Sequence, residues 1–237
     1  MRSRPWLLLL VLAIGFGGCA RLPGEEARLT SAAGAVQGFA AISAHGLPLG
    51  SAVAVTPGRL LTNAHILPEG LLQVQAQRGD GGPVVPAVVL ARSQAMDLAV
   101  LGVAPGHFRP VPIEVGPVAV GAALVALGAP NAGPALAHGV VRLPDALLPG
   151  TGRGMAARLG ALMGFSGGPA LDDQGRLRGL VTALLRPGMA PLLAALTGID
   201  LSGMTRNREE REVFVLSIAE ALAESERIAP TAGAEPR

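Results

Sequence analysis

From about residue 36 onward, the hydrophobic positions fall in short runs separated by turn-forming residues. Glycine and proline close these runs, as in Thr56-Pro57-Gly58 and in the glycine-rich segment at 79–82. Short apolar runs bounded by such turns are typical of β-strands rather than of long helices. Between residues 38 and 103 the candidate strands are GFAAIS, GSAVAV, RLLTNAHI, LLQVQAQ, VVPAVVLA and DLAVLGV. Six strands at this spacing predict a small closed barrel.

A second strand-rich block follows a proline-rich connection at 106–117. Its runs are AALVALG, LAHGVVRL, GPAL and RLRGLVTALL, and the sequence DDQG makes a hairpin turn between the last two. We therefore expect one barrel over about 36–105 and a second strand-rich unit over about 117–190.

The segment EEREVFVLSIAEALAESERI predicts a helix over about 209–228. Its acidic residues lie toward the N-terminal end, where the helix dipole favours them. Val213, Leu216, Ala219, Leu222 and Ala223 would then fall on one face. This helix would lie in a C-terminal extension, 191–237.

The N-terminal segment has the layout of a signal peptide over residues 1–18. Arg2 and Arg4 precede an apolar stretch at 6–16, which is short for a membrane span. Gly17-Gly18-Cys19 then resembles a bacterial lipobox, although Phe16 stands where leucine is usual. The resemblance implies an exported lipoprotein of a bacterial envelope, periplasmic or membrane-anchored, lipidated at Cys19 and followed by a tether at 19–34. The alternative is an ordinary secretory signal in which Cys19 has no role.

Composition narrows the function classes further. Half of the 237 residues are hydrophobic, so a sizeable core is expected, and Cys19 is the only cysteine, so the exported domain has no internal disulfide. The net charge of +2 comes from Arg2 and Arg4, and no basic patch predicts a nucleic-acid partner. The histidines show no metal-ligand spacing, so we expect neither a metal nor another cofactor.

One serine, Ser166, lies among glycines in the sequence LMGFSGGPAL. It is either a turn residue or a nucleophile, and a serine nucleophile needs a histidine base and a group that orients the base. The G-x-S-x-G elbow of α/β-hydrolases requires a histidine after the serine, and none follows Ser166. The order histidine, aspartate, serine has good candidates in His65, at the end of an apolar strand, and Asp97, just before another. We expect His45, His107 and His138 to be structural or solvent-facing.

The motifs TNAH, MDLAVL and GFSGGP occur in this order and resemble the catalytic motifs of the chymotrypsin-clan (trypsin-like) serine proteases, especially the bacterial HtrA/Deg-type branch. The segments GSAVAVTPGRLLTNAHIL, VGAALVALGAPNAGPALAHGVV and GFSGGPALDDQGRLRGLVTALL extend the likeness over roughly 36–186. The resemblance implies an all-β fold of two packed six-stranded antiparallel β-barrels with a C-terminal helix. It also implies a protease domain over 35–190, and we expect no PDZ domain.

The resemblance further implies roles for individual residues. Ser166 would be the nucleophile, His65 the base and Asp97 its orienting group, while the backbone N–H groups of Gly164 and Ser166 would form the oxyanion hole. Thr182 would support the aspartate. Thr182 would also begin a substrate-binding edge that continues through Ala183 and Leu184.

Two positions depart from the animal digestive relatives. Phe165 replaces the aspartate that pairs with a freshly cut N-terminus, so activation by N-terminal cleavage is not expected. Phe165 could instead hold the serine loop inactive until something binds. Gly160 stands where an acidic residue would select basic side chains, so we expect a small apolar pocket for the residue before the scissile bond (P1).

Two functions of different class follow from these observations. The first is an exported serine endopeptidase that acts on unfolded or exposed polypeptide. The second is a catalytically silent binding protein of the cell envelope with a protease fold. The intact triad favours the endopeptidase, and the sequence carries no indication of the oligomeric state.

Overall fold

The computed structural model describes residues 32–130, 133–161, 163–184 and 211–231. The predicted signal peptide, Cys19 and most of the predicted tether lie outside these ranges. The chain is already packed at the last predicted tether residues, because 32–35 are helical and the Ala32 and Ala35 side chains are buried.

Barrel one contains all six strands that the hydrophobic pattern predicts between residues 38 and 103. They are β1 Phe39–Ala44, β2 Leu47–Thr56, β3 Arg59–Thr62, β4 Gln73–Arg78, β5 Val84–Arg92 and β6 Ala99–Gly102. Neighbouring strands are antiparallel, and the closed order is β1-β2-β3-β6-β5-β4.

Barrel two repeats this arrangement in the second half of the chain. Its strands are β7 Ala123–Gly128, β8 Ala135–Leu148, β9 Gly152–Leu159, β10 Pro169–Leu171, β11 Leu177–Leu184 and β12 Arg211–Ser217. The closed order is β7-β8-β9-β12-β11-β10, which is the order of barrel one. The fold is therefore all-β, with two six-stranded antiparallel barrels of the chymotrypsin-like type.

The C-terminal segment differs from the prediction of a helix over about 209–228. Residues 211–217 form β12 between β9 and β11, and the helix, α1, runs only from Ile218 to Ile228. The run Val213-Phe214-Val215 contains β-branched and aromatic residues, which fit a strand buried on both faces better than a helix. Barrel two therefore does not end at residue 190, because its closure depends on β12.

Three buried apolar clusters explain how the barrels are held together. Small side chains such as Ala52, Ala54 and Ala87 fill barrel one with Leu60 and Leu101. A second cluster that includes Val141, Met155 and Phe165 fills barrel two. The third cluster lies between the barrels and combines Phe39, Val53, Leu61, Val100, Leu127, Leu171, Leu180, Phe214 and Ile218. Strands that lie between a barrel interior and this third cluster bury both faces, which accounts for their nearly continuous apolar sequences.

No helix within the described ranges is both long enough and apolar enough to cross a membrane.

Candidate active site

His65 and Asp97 meet because their strands are neighbours in barrel one. β3 runs antiparallel to β6 with Thr62 opposite Ala99, so the end of one strand adjoins the start of the other. His65 lies in a short 3-10 helix just after β3, and its Nδ1 is 2.6 Å from Asp97 Oδ2. The backbone N–H of His65 also donates to Asp97 Oδ1, over 2.9 Å. Both carboxylate oxygens therefore hold the histidine.

The loop that carries Asp97 is shaped by Ser93. The Ser93 hydroxyl oxygen accepts hydrogen bonds from the backbone N–H groups of Ala95 and Met96, each 3.0 Å long. The same hydroxyl donates to Glu224 on α1, which Arg227 also contacts. The helix packed beside barrel two is thus bonded to the loop that positions Asp97.

Asn63 connects Asp97 to Thr182, a role that the sequence analysis missed. Its amide nitrogen Nδ2 donates to the Asp97 carbonyl at 2.8 Å and to Thr182 Oγ1 at 3.2 Å. The Thr182 hydroxyl in turn donates to the Leu180 carbonyl, over 3.0 Å. In these contacts Thr182 supports Asp97 through Asn63 and the Asp97 backbone rather than by contacting its carboxylate. An asparagine between an apolar run and the candidate histidine, in LLTNAH, is the sequence signal that could have indicated this link.

The loop with Ser166 packs directly against barrel one, beside the His65 segment. The N–H of Ser51 on β2 donates to the Ser166 carbonyl, over 2.9 Å. A Cβ added to Gly50 would lie 2.9 Å from the Ser166 carbonyl oxygen and 3.0 Å from Ile66 Cδ1, so these two residues meet over Gly50. A Cβ added to Gly167 would overlap the Ser51 carbonyl oxygen and lie 3.1 Å from the Asn63 nitrogen. The structure thus brings Ser166 to the edge of barrel one that carries His65.

The backbone of this loop leaves several consecutive N–H groups without a protein acceptor. Gly167 N–H donates to the Val181 carbonyl and Gly168 N–H to the Phe165 carbonyl, each over 2.8 Å. Within the described ranges, the N–H groups of Gly164, Phe165 and Ser166 have no protein acceptor, and the first and last of these are the two expected from the sequence to form the oxyanion hole. Gly164 has a φ of +95°, a conformation that favours glycine. Two unpaired N–H groups on either side of one residue can stabilise a developing negative charge.

Phe165 fixes the loop from the side of barrel two. Its side chain is 2% exposed and belongs to the apolar cluster inside that barrel. The ring lies so close to Gly128 that a Cβ added there would overlap it. The position before the serine is therefore held by apolar packing.

The residues expected to contact substrate have different environments. Gly160 is exposed at the end of β9, whereas the Thr182 side chain is buried at a β-bulge of β11. Ala183 and Leu184 continue β11 opposite Phe214 and Val213. Met163, just before the serine loop, is 81% exposed.

A surface cavity of about 350 Å³ lies beyond Leu49, one residue from Gly50. It includes none of the four predicted substrate-binding residues, and its lining is Ala44, His45, Leu47, Leu49, Pro68, Glu69, Gly70 and Leu71. Across the described ranges, no group of three or more histidine, cysteine, aspartate or glutamate side chains is arranged to hold a metal ion.

The sequence that forms this site matches a protein-family model. The model of the trypsin-like peptidase domain matches residues 50–180, which is more than half of the chain. The chain belongs to the trypsin-like peptidase family. A comparison with curated protein sequences gives no significant match.

Solved structures share the fold of this trypsin-like peptidase. The Rv3671c protease of M. tuberculosis in its inactive form has a TM-score of 0.66 and 23% identity, covering 84% of this chain and 92% of its own. An inactive-form serine-to-alanine mutant of Rv3671c gives 0.65 and 23%, with coverages of 86% and 93%. The serine endoprotease from Yersinia pestis gives 0.63 and 18%, with coverages of 84% and 65%. The family and this chymotrypsin-like fold identify a serine endopeptidase.

Proposed function

We propose that this trypsin-like peptidase is an exported enzyme that hydrolyses peptide bonds through Ser166, His65 and Asp97. His65 removes the proton from the Ser166 hydroxyl as it attacks the scissile carbonyl, and later donates that proton to the leaving amine. Asp97 holds Nδ1 of the imidazole, so that Nε2 is the nitrogen that exchanges the proton. The backbone N–H groups of Gly164 and Ser166 bind the oxygen that becomes negative.

The observation that carries this proposal is that the His65–Asp97 pair of barrel one and the serine loop of barrel two lie against each other. On barrel one, the Asp97 carboxylate holds both the side chain and the backbone of His65. On barrel two, the serine loop is packed against the segment before His65, and its unpaired N–H groups include those of Gly164 and Ser166. Together these features supply a base, a nucleophile and a place for the oxyanion, which acyl transfer requires.

We propose unfolded or exposed polypeptide as the substrate, with small or medium apolar residues preferred at P1. Gly160 is exposed and carries no side chain to pair with a basic P1 residue. Extended segments would lie along the β11 edge at 182–184.

We also propose that the protein is exported and lipidated at Cys19, which would attach it to a membrane of the bacterial envelope. The short apolar segment ending in Gly17-Gly18-Cys19 supports this proposal. Membrane fractionation of the wild type and Cys19→Ala tests it, with only the wild type expected in the membrane fraction. Equal solubility of the two proteins, with both mature chains starting after Cys19, would overturn the lipoprotein proposal.

A silent binding protein remains the second candidate, and one observation favours it. Among the described residues, the Ser166 hydroxyl has no hydrogen bond to His65. The His65 side chain is 49% exposed and is held through its Nδ1 side. In substrate-free proteases this bond is often long and tightens only in the complex, so its absence is also compatible with catalysis.

Fluorophosphonate labelling and casein cleavage distinguish the two candidates. We expect the wild type to be labelled on Ser166, and Ser166→Ala and His65→Ala each to lose turnover on the order of 10⁴–10⁶-fold. The double variant should be no worse than either single variant, because the residues act as a unit. Ser43→Ala on β1 is the matched control and should keep wild-type turnover. Wild-type cleavage by Ser166→Ala would exclude this site, and a wild type inert to both reagents would favour the binding protein.

A further inference from the structure

Ser51 is a polar residue in the middle of the apolar strand β2. Its side chain is fully buried, in the sequence Gly50-Ser51-Ala52-Val53. A hydroxyl in such a place is unfavourable unless it is hydrogen-bonded. The surroundings of Ser51 therefore show what this hydroxyl does.

All the polar groups of Ser51 are bonded, and most of their partners flank the serine loop. The hydroxyl donates to the Gly164 carbonyl over 2.7 Å and accepts from the Ala129 N–H over 3.0 Å. The backbone N–H donates to the Ser166 carbonyl over 2.9 Å. The Ser51 carbonyl accepts from the Thr62 hydroxyl over 2.6 Å, which fixes Ser51 itself within barrel one.

Along the chain, the carbonyl that Ser51 holds lies between the N–H groups of Gly164 and Ser166. It belongs to the peptide that joins Gly164 to Phe165, and its orientation sets the backbone angles on both sides of that peptide. The N–H of Gly164 precedes this peptide and the N–H of Ser166 follows it. Because Gly164 is a glycine with a φ of +95°, its own side chain does nothing to restrict the loop. Bonds from neighbouring groups, among them the bond from the Ser51 hydroxyl, therefore restrict the orientation of this peptide.

Loss of the hydroxyl would leave the local backbone paired. The Ala129 N–H also donates to the Gly164 carbonyl, over 3.0 Å, and that bond would remain. Replacement of Ser51 by alanine therefore buries no new unpaired backbone group, and its cost in stability should be modest. What disappears is the connection between the Gly164 carbonyl and barrel one.

We propose that Ser51 is a positioning residue for the oxyanion hole of this enzyme. Its hydroxyl reaches from barrel one to barrel two and fixes the Gly164 carbonyl, so that the N–H groups of Gly164 and Ser166 are preorganised. Ser51 touches neither the scissile bond nor His65, and it acts only through the serine loop. The inference rests on the proposed function of Ser166.

Steady-state kinetics of Ser51→Ala and Ser51→Cys test the inference. In Ser51→Ala we expect kcat to fall about 10- to 100-fold with KM within about twofold, because the lost alignment matters mainly in the transition state. Binding of a peptide boronate, a transition-state analogue, should weaken in parallel, while binding of a product peptide should not. Ser51→Cys, whose thiol is a weak donor, should lie between wild type and Ser51→Ala.

Ser225→Ala is the matched control, since Ser225 is also buried and donates to a backbone carbonyl. It should lower the melting temperature by a similar amount without changing kcat. Unchanged kcat in Ser51→Ala, or a rise in KM with kcat unaffected, would overturn the inference while leaving the activity of Ser166 intact.

Hydrogen exchange gives a measurement that does not depend on turnover. Exchange across residues 164–168, followed by mass spectrometry, should be faster in Ser51→Ala than in wild type and in Ser225→Ala. Equal exchange in all three proteins would also overturn the inference. A wild type that fluorophosphonate does not label would instead argue against the proposed function, independently of the exchange result.

Discussion

The two barrels have the same strand order but contribute different things to the site. Barrel one supplies two side chains, His65 and Asp97, at the adjoining ends of β3 and β6. Barrel two supplies Ser166 on a loop whose backbone conformation depends on glycines and on the buried Phe165. The contribution of barrel one thus depends on side chains held at neighbouring strand ends, whereas that of barrel two depends on the backbone conformation of the loop that carries Ser166.

This difference predicts how each half should respond to substitution. On barrel one, a change that keeps the backbone but alters a functional group should remove activity and spare stability. On barrel two, a single added methyl or a reshaped apolar side chain should displace the loop, so activity and stability should fall together. Three substitutions test the comparison directly, and two more test the electrostatics of barrel two and α1, from the largest expected effect to the smallest.

Asp97→Asn should lower turnover by about 10⁴-fold with little change in folding. The asparagine amide keeps the shape of the carboxylate but favours the wrong imidazole tautomer, so His65 can no longer act as the base. Asp80→Asn is the matched control, because Asp80 is also a hydrogen-bonded loop aspartate of barrel one. Casein cleavage and thermal unfolding are the measurements. A large loss of stability in Asp97→Asn would break the distinction between the halves.

Gly167→Ala should remove most activity and destabilise the protein. Gly167 has a φ of +82°, and a Cβ there would overlap the Ser51 carbonyl oxygen and the Thr62 hydroxyl. Gly81 has a φ of +81° with open space around it, so Gly81→Ala isolates the conformational cost, about 1 kcal/mol. We expect Gly167→Ala to cost at least about 3 kcal/mol in urea unfolding. Equal losses of unfolding free energy in Gly167→Ala and Gly81→Ala would show that the serine loop moves to accommodate the added methyl group.

Phe165→Leu should destabilise by about 1–2 kcal/mol and also slow turnover. The smaller side chain leaves space beside Gly128 and loosens the residue next to Ser166. Phe39→Leu, at an equally buried position of β1, should cost a similar free energy of unfolding without the kinetic effect. If both variants keep full turnover per folded molecule, apolar packing does not set the loop conformation. Faster turnover in Phe165→Leu would favour an inhibitory role of this phenylalanine.

Glu212→Gln should stabilise the protein near pH 7. Burial raises the pKa of the Glu212 carboxyl above 4.5, although Arg142 and Arg158 partly oppose the shift. An acid with a raised folded pKa destabilises the fold when it is ionised, and the penalty vanishes below the unfolded pKa. The variant should therefore melt roughly 1–3 °C higher at pH 7 and close to wild type at pH 4.

Glu224→Gln should have the opposite effect and lower the melting temperature at pH 7. Hydrogen bonds from Arg227 and Ser93 lower the pKa of the Glu224 carboxyl, so its ionised form stabilises the fold above about pH 4.5. That contribution should be lost as pH falls through the lowered folded pKa. If both variants shifted the melting temperature at pH 7 in the same direction, the opposite pKa directions given for Glu212 and Glu224 would be contradicted.

The fold was predictable where the local sequence carries a clear strand pattern. All of barrel one follows from apolar runs between turns, but β9 went unrecognised because GRGMAARL has glycines, arginines and no β-branched residue. The sequence predicts a helix at β12 because the spacing of its apolar residues merges with that of α1. Tertiary pairing with β9 and β11 decides the conformation there.

For the site as well, only residues that lie in a local sequence motif could be predicted. The sequence indicates His65, Asp97 and Ser166 because each lies in a recognisable motif. Ser51 and Asn63 matter through hydrogen bonds to residues far along the chain, and such bonds leave no local spacing pattern. The available signals were a serine within an apolar run for Ser51 and an asparagine directly after an apolar run for Asn63.

The position of β12 has a consequence for biosynthesis. A polypeptide is made from its N-terminus, and domains fold as their strands become available. Barrel one is complete at Gly102, but barrel two has a gap between β9 and β11 until Arg211–Ser217 is made. A fragment that ends before residue 211 should therefore escape fluorophosphonate labelling. If the enzyme cleaves unfolded polypeptide as proposed, its active site would form only after its own chain has folded and is no longer such a substrate.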